Sequence, residues 1–453
     1  MSTQAIAVTR PRPRPARAGG PGYVREISQI ERAYLIAAMQ GASPLIQTVV
    51  EGPGTLDHQA LVEAVEVATR ANPGLAVTRY SKVWRGGGPV PPVVVDPHRT
   101  PGAGDRTSGA ENPALGAENG ETGDGEFDAP FFHRPIDVAS GPICEVGLFP
   151  GERTRVVFRV SHIATDGRGL QQWMADIFRV LRHEEPVGAP STVDDTHFLA
   201  LAGPARPAPG ASGTDQDPSD TLATSFASIL NPAGAPAPDL TPEPALWVRR
   251  FLPMQASAMT ARIAAGVSRH LRGDAGRMIV PVDLRRHDRS VRSTANLSAQ
   301  LLLDVRREDS WRRLHLELLG ALKRKREVEL LGRDFRRTNP FANTLDDCCG
   351  PRDSRFACSM IVSDHGQVDL DRFRTGEFTP DRFYTLPMLV PYAEMFISSC
   401  QTRHGIELTL SCRRREGARD AAEAILDDVE RLVTDAATTG APASSPVPPR
   451  PTT

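Results

Sequence analysis

Four stretches of this chain collect helix and strand breakers too densely to belong to a packed core: residues 1–22, 99–126, 203–245 and 438–453. The third contains GPARPAPGASG and NPAGAPAPDLTPEP. Proline removes a backbone donor, and glycine loses the most backbone freedom on folding. Segments rich in both bury too little apolar surface to offset the entropy of ordering them. A chain of 453 residues with 38 Gly and 40 Pro can build a large core only if the breakers are segregated, as they are here. The organisation that follows has five parts. Residues 1–22 form a disordered Arg/Pro tail and 23–202 a first lobe, interrupted by a flexible loop at 99–126. A linker at 203–245 leads to a second lobe at 246–437, and 438–453 form a disordered tail.

The remainder is periodic. Leu56, Ala60, Leu61, Ala64, Val65 and Ala68 recur at helical spacing and predict a helix over 56–70. Ile30, Tyr34 and Ala38 do the same over 28–40, and Leu170, Trp173, Met174, Ile177 and Leu181 over 170–182. Residues 154–161 alternate as a strand, with Val156, Phe158 and Val160 on one face. In the second half, 278–284, 299–305 and 357–363 read as strands, and 310–326 and 420–436 as helices. Residues 393–400 and 405–412 read as a hairpin. Each half mixes α and β.

Charge excludes some partners. Lys+Arg is 53 against 55 Asp+Glu, a formal −2, so no basic field draws in nucleic acid or an anionic membrane. Lysine is confined to Lys82, Lys323 and Lys325, and arginine supplies the rest. No apolar run reaches the roughly 18 residues of a membrane span. The N-terminal MSTQAIAVTRPRPRPARAGG lacks the apolar segment of a secretory signal. Six cysteines are no disulfide framework, and Cys348, Cys349 and Cys358 lack zinc-ligand spacing. The reading is a cytoplasmic protein with reduced thiols and no metal site.

One constellation carries chemistry. Strand 154–160 runs into Ser161-His162-Ile163-Ala164-Thr165-Asp166-Gly167-Arg168-Gly169, and a helix begins at Leu170. His162 shares the parity of Val156, Phe158 and Val160, so it leaves the strand near the core edge. Gly167 and Gly169 allow a tight turn. Asp166 falls near a helix N-terminus, where a carboxylate is favoured. A histidine fixed at such a place can act as a general base near neutral pH.

The segment His162-x-x-x-Asp166-Gly167 resembles the active-site motif of the chloramphenicol-acetyltransferase-like superfamily, which includes condensation domains, polyketide-associated acyltransferases and wax-ester synthases. Four further segments are similar to that family's pattern, in the same order. They are Leu56 through Asn72-Pro73-Gly74-Leu75; Ile136-Asp137 with Gly141-Pro142 and Val146-Gly147-Leu148; Val280-Pro281-Val282-Asp283-Leu284-Arg285-Arg286 with Thr294-Ala295-Asn296-Leu297-Ser298; and Ile361-Val362-Ser363-Asp364-His365-Gly366. The resemblance implies a mixed α/β fold, with two chloramphenicol-acetyltransferase-like lobes forming a pseudo-dimer around an active-site tunnel. It implies that His162 deprotonates an amine or hydroxyl acceptor, which attacks an acyl thioester with no acyl-enzyme. Asp166 would be structural, paired with Arg285, and Gly167 would allow close approach of substrate. Ser161, Asn296 and Ser363 would lie behind the site.

No bound cofactor is implied. The co-substrate would be an acyl thioester of coenzyme A or phosphopantetheine, the latter on a carrier protein. The resemblance places such a free-standing enzyme in bacterial specialised metabolism. The departures are Ser161 where many members have a first histidine, Ala295 before Asn296, and Asp364 after Ser363. Ser161 keeps open a non-catalytic module that binds carrier proteins, and cyclisation or hydrolysis of a carrier-bound chain is a further alternative. Lys323-Arg324-Lys325-Arg326 reads as cations at a helix C-terminus, or as a contact for phosphates. His133 and His365 have no ligand-spaced partners. No Gly-x-Ser-x-Gly elbow is present, against an ordinary serine hydrolase.

Overall fold

The structure, a computed structural model, describes residues 22–39, 43–95, 127–139, 141–203, 226–227, 229–230, 245–328, 331, 355–356, 358–390 and 392–439. The predicted loop 99–126 lies outside them, as do nearly all of the two tails and most of the 203–245 linker.

Two sheets dominate. The first has five strands in the order Arg382–Leu386, Leu45–Pro53, Arg153–Ser161, Cys144–Phe149, Val93–Val95. Only the last pair is parallel. Helices His58–Ala71 and Gly167–Leu181 cover one face of this sheet. There the alternation read from the sequence operates. Val156, Phe158 and Val160 pack with Leu61, Val65, Trp173, Ile177 and Phe178. Val157 points to the other face, with Tyr384, Leu386 and Trp247. The first of these helices starts where Asp57 accepts the Ala60 N–H (2.7 Å), and its Leu61, Ala64, Val65 and Ala68 are buried.

The second sheet has six strands in the order Ser298–Arg306, Ala275–Asp283, Cys358–Gln367, Ala393–Thr402, Gly405–Arg413, Ala245–Leu252. The hairpin read at 393–412 is present, with Thr402 opposite Gly405. Helices Met259–Ser268, Trp311–Lys323 and Ala418–Thr439 accompany this sheet, and residues of all three enter its core. Strands Ala275–Asp283 and Cys358–Gln367 run parallel, with Met278 beside Met360. Their C-terminal ends therefore emerge together, and those ends carry Asp283, Arg285 and His365 toward the first sheet's motif helix.

The strand Arg382–Leu386 follows four strands of the second sheet in the chain yet pairs with Leu45–Pro53 in the first. Its Phe383 joins the first sheet's core, and Tyr384 and Leu386 face Trp247 of the second sheet's edge. One strand thus stitches the two sheets together. Gly52 permits this. A Cβ on it would fall 2.2 Å from the Thr379 carbonyl oxygen and 2.6 Å from the Pro380 Cα.

Phe158 is fully buried between Trp173 and Phe178 at the centre of the first sheet. Phe158→Ala is expected to cost about 3–5 kcal/mol. Chemical denaturation followed by circular dichroism should show the lower midpoint.

Candidate active site

The strand Arg153–Ser161 ends at the motif, and helix Gly167–Leu181 begins after it. The His162 backbone N–H still donates to the Pro44 carbonyl (2.7 Å), so the histidine leaves a sheet that holds its main chain. Its half-buried imidazole has three described partners: Thr165, Asn296 and Tyr34. Nδ1 lies 3.0 Å from the Thr165 carbonyl oxygen. A carbonyl can only accept, so this contact puts the proton on Nδ1. The Asn296 amide, 3.1 Å from the same nitrogen, donates instead to the His162 carbonyl at 2.6 Å. Nε2 is then the basic nitrogen.

Tyr34 stacks on the imidazole, with ring centroids 4.4 Å apart and planes 21° from parallel. Its hydroxyl is 3.3 Å from Nε2. With the proton on Nδ1, Nε2 is the acceptor in this contact and the hydroxyl its donor. Burial pulls the His162 pKa below the ordinary histidine value; the Asp166 charge and the Thr165 hydrogen bond oppose this and do not overcome it. The imidazole is therefore neutral at pH 7.

Asp166 turns away from His162 and serves the junction between the halves. One carboxylate oxygen accepts the Gly169 N–H (2.8 Å), capping the helix. The other accepts from Arg285 Nη1 (2.9 Å) and from the Leu297 N–H (2.7 Å). Burial alone would raise this carboxyl's pKa, but the Arg285 guanidinium and the two N–H groups hold it below the usual range. Arg285 completes its fork on Asp283 Oδ1 (2.8 Å) and on the Ser293 and Ala295 carbonyls (both 2.9 Å). Gly169 is pressed against the same loop. A Cβ there would meet Thr165 Oγ1 and the Thr294 carbonyl oxygen, both at 2.6 Å.

The remaining residues singled out in the sequence are placed as follows. Gly167 lies beside His365, whose Cε1 would be 3.2 Å from a Cβ on the glycine. Asn296 touches His162. Ser161 is buried, and its Oγ accepts the Ile163 N–H (3.4 Å). Ser363 sits in its strand opposite Ser398. Neither serine is among the described partners of the His162 ring. In the basic run at 323–326, Lys325 donates to the Ala202 carbonyl.

Sequence reasoning missed the clamp behind the motif. Arg25 and Glu31 form a buried two-pronged ion pair (2.7 and 2.8 Å). Glu31 also accepts from the Ser28 N–H (3.0 Å), Trp84 Nε1 (3.1 Å) and the Asn296 N–H (3.4 Å). Arg25 donates to the Ala164 carbonyl inside the motif loop (3.3 Å). The signal was present: Ser28-x-x-Glu31 is a capping box, and the Glu31 N–H donates back to Ser28 Oγ (3.1 Å).

Among the described residues no His/Cys/Asp/Glu group is placed to hold a metal, and no helix is long and apolar enough to cross a membrane. Solved structures similar to this one include the first condensation domain of the calcium-dependent antibiotic synthetase with a substrate analogue. It has a TM-score of 0.60 and 15% identity, covering 91% of this chain and 98% of that one. The fold is that of condensation domains. A starter condensation domain of rhizomide synthetase RzmA, in mutant form with C8-CoA, is also similar (TM-score 0.58, 13% identity, covering 91% of this chain and 95% of that one). So is the condensation domain from Monacolin K polyketide synthase MokA (TM-score 0.57, 10% identity, covering 92% and 98%). No family model and no curated sequence matches the chain. The likeness to condensation domains is carried by the two-lobed fold.

Asp166→Asn leaves the buried Arg285 without its main counter-charge, at an expected cost of about 3–5 kcal/mol at neutral pH. The Asp166 carboxyl titrates lower in the folded chain than in the unfolded one. Its stabilisation is therefore complete above the unfolded value of about 4 and is lost as pH falls through the lower folded value. Melting curves of the two proteins should differ most above about pH 5 and converge on acidification.

Proposed function

We propose that this protein is an acyltransferase of the condensing type, joining a thioester-bound acyl group to an amine or hydroxyl acceptor. The observation that carries the reading is the state of His162. It is a neutral imidazole whose Nδ1 proton is committed to the Thr165 carbonyl, which leaves Nε2, 3.3 Å from the Tyr34 hydroxyl, as the basic nitrogen. It belongs to a fold shared with domains solved with C8-CoA and with thioester analogues. The acceptor's N–H or O–H gives its proton to His162 Nε2 as its lone pair attacks the thioester carbonyl carbon. The C–S bond then breaks, and the departing thiolate takes the proton back from Nε2. No acyl-enzyme is formed.

Asp166 and Arg285 take no proton in this scheme. They hold the loop that places His162, with Asn296 and Tyr34 fixing the ring. The donor is a thioester of coenzyme A or of phosphopantetheine on a separate carrier protein, and no prosthetic group takes part. The two halves flanking 203–245 supply the two sides of the site, the first giving His162 and Gly167 and the second Arg285 and Asn296. Chemistry of this kind suits the assembly of peptide- or polyketide-like natural products within the cytoplasm.

His162→Ala is expected to lower acyl transfer about 10²–10⁴-fold, the usual contribution of a general base, with the melting temperature little changed. Thiol release from octanoyl-coenzyme A, measured across a panel of amines and alcohols, is the assay. Undiminished turnover in the variant contradicts the mechanism. In the wild type, kcat/KM should fall on acidification through a value below the usual histidine pKa of about 6.5, because only neutral His162 accepts the proton.

A further inference from the structure

The lone pair that His162 has to offer as a base is already engaged. With the Nδ1 proton on the Thr165 carbonyl, Nε2 can only accept, and its described donor is the Tyr34 hydroxyl 3.3 Å away. A proton arriving at Nε2 must therefore displace this hydroxyl or pass through it. Displacement would have to move a side chain that is held in several ways. Tyr34 stacks on the imidazole with ring centroids 4.4 Å apart. It packs against the first sheet's core and also against the cluster of Ile279, Ile361, Met388, Val390 and Tyr392 in the second half. Its helix, Gln29–Met39, is pinned at the start, where the Asp195 carboxylate accepts the Gln29 and Ile30 N–H groups (2.9 and 3.3 Å) and Glu31 binds Arg25 (2.7 Å).

Passage through the hydroxyl needs no such movement. A phenol has a proton to give and lone pairs to accept another. The Tyr34 O–H can hand its proton to Nε2 while its oxygen takes one from a third group. Burial first, and then the Asp166 charge, push the Tyr34 pKa above the ordinary tyrosine value. The phenol therefore stays protonated wherever neutral His162 works, and a free phenolate is disfavoured. The two transfers must then occur together.

We propose that Tyr34 is a catalytic residue whose hydroxyl relays the acceptor's proton to His162 Nε2. This rests on the acyl-transfer reading and inserts a single oxygen between acceptor and base. As the acceptor's lone pair forms the bond to the thioester carbonyl carbon, its N–H or O–H proton goes to the Tyr34 oxygen and the Tyr34 proton goes to Nε2. When the C–S bond breaks, the path runs backwards. The imidazolium returns a proton to the Tyr34 oxygen, and the hydroxyl gives its own to the departing thiolate. Tyr34 and His162 end as they began, and no further reactant is consumed. The acceptor's nucleophilic atom accordingly docks on the Tyr34 oxygen, at about 2.6–3.2 Å.

The test uses the full chain with octanoyl-coenzyme A as probe and the best acceptor of the amine and alcohol panel, with protein in excess so that a single turnover is followed. Wild type, Tyr34→Phe and His162→Ala are compared in mixtures of light and heavy water. Phe keeps the stacked ring and removes only the oxygen, and thermal melting checks that the variant is folded. Tyr34→Phe should slow transfer about 10²-fold, the lower end of what a positioned proton-transfer group contributes. The wild-type rate plotted against deuterium fraction should bow downward, as it does when two protons move in one step, and the Tyr34→Phe plot should be straight. A straight wild-type plot overturns the relay however the variant behaves. A folded Tyr34→Phe as fast as wild type or faster, beside a slow His162→Ala, overturns the relay and leaves the acyl-transfer reading standing. A slower Tyr34→Phe with the wild-type isotope plot overturns it in favour of a role in holding the ring. A wild type that releases no thiol from the probe with any acceptor overturns both.

Discussion

The site depends on the buried carboxylate of Asp166. It caps the helix that follows the motif, binds the guanidinium of Arg285 and accepts the Leu297 N–H. The first bond belongs to one half of the chain and the other two to the opposite half. A charge so deeply enclosed is stable only because each of its oxygens is occupied. Separating the halves would leave the carboxylate without its counter-charge and the guanidinium with Asp283 alone. The geometry around His162 is therefore a product of the junction, and neither half holds it alone.

A second set of contacts backs the first. The Arg25–Glu31 pair reaches the Ala164 carbonyl on one side and the Asn296 N–H on the other. Asn296 then contacts the His162 carbonyl and lies against its ring. Tyr34, one turn along the same helix as Glu31, stacks on the imidazole. Three segments distant in sequence thus converge on one residue. Rigidity of this kind is what a base needs if its lone pair is to meet a bound nucleophile at the right angle.

Much of this was legible in the chain, for identifiable reasons. The alternation of Val156, Phe158 and Val160 named the buried face because a strand's side chains have a strict period of two. The helix around Trp173 and Ile177 was legible from its apolar stripe. Asp166 stood at the start of that helix. Other features depended on long-range packing. The pairing of Arg382–Leu386 with Leu45–Pro53 joins residues more than 300 positions apart, and no local pattern encodes it. Tyr34 read only as one apolar residue of an amphipathic helix, since its value lies in what it stacks on. His365 was set aside for lack of ligand-spaced neighbours. Its partners are Gln171 and the absent side chain of Gly167, neither of which a search for metal or triad spacing would find.

The central claim is that a thioester is attacked beside His162 Nε2, between the two sheets. A crystal structure of the full chain with octanoyl-coenzyme A tests it most directly. The account predicts the thioester carbonyl carbon beside the Nε2 edge of the His162 ring, with no covalent bond to the protein. Acyl density attached to a side chain, or a thioester bound away from His162, would contradict it.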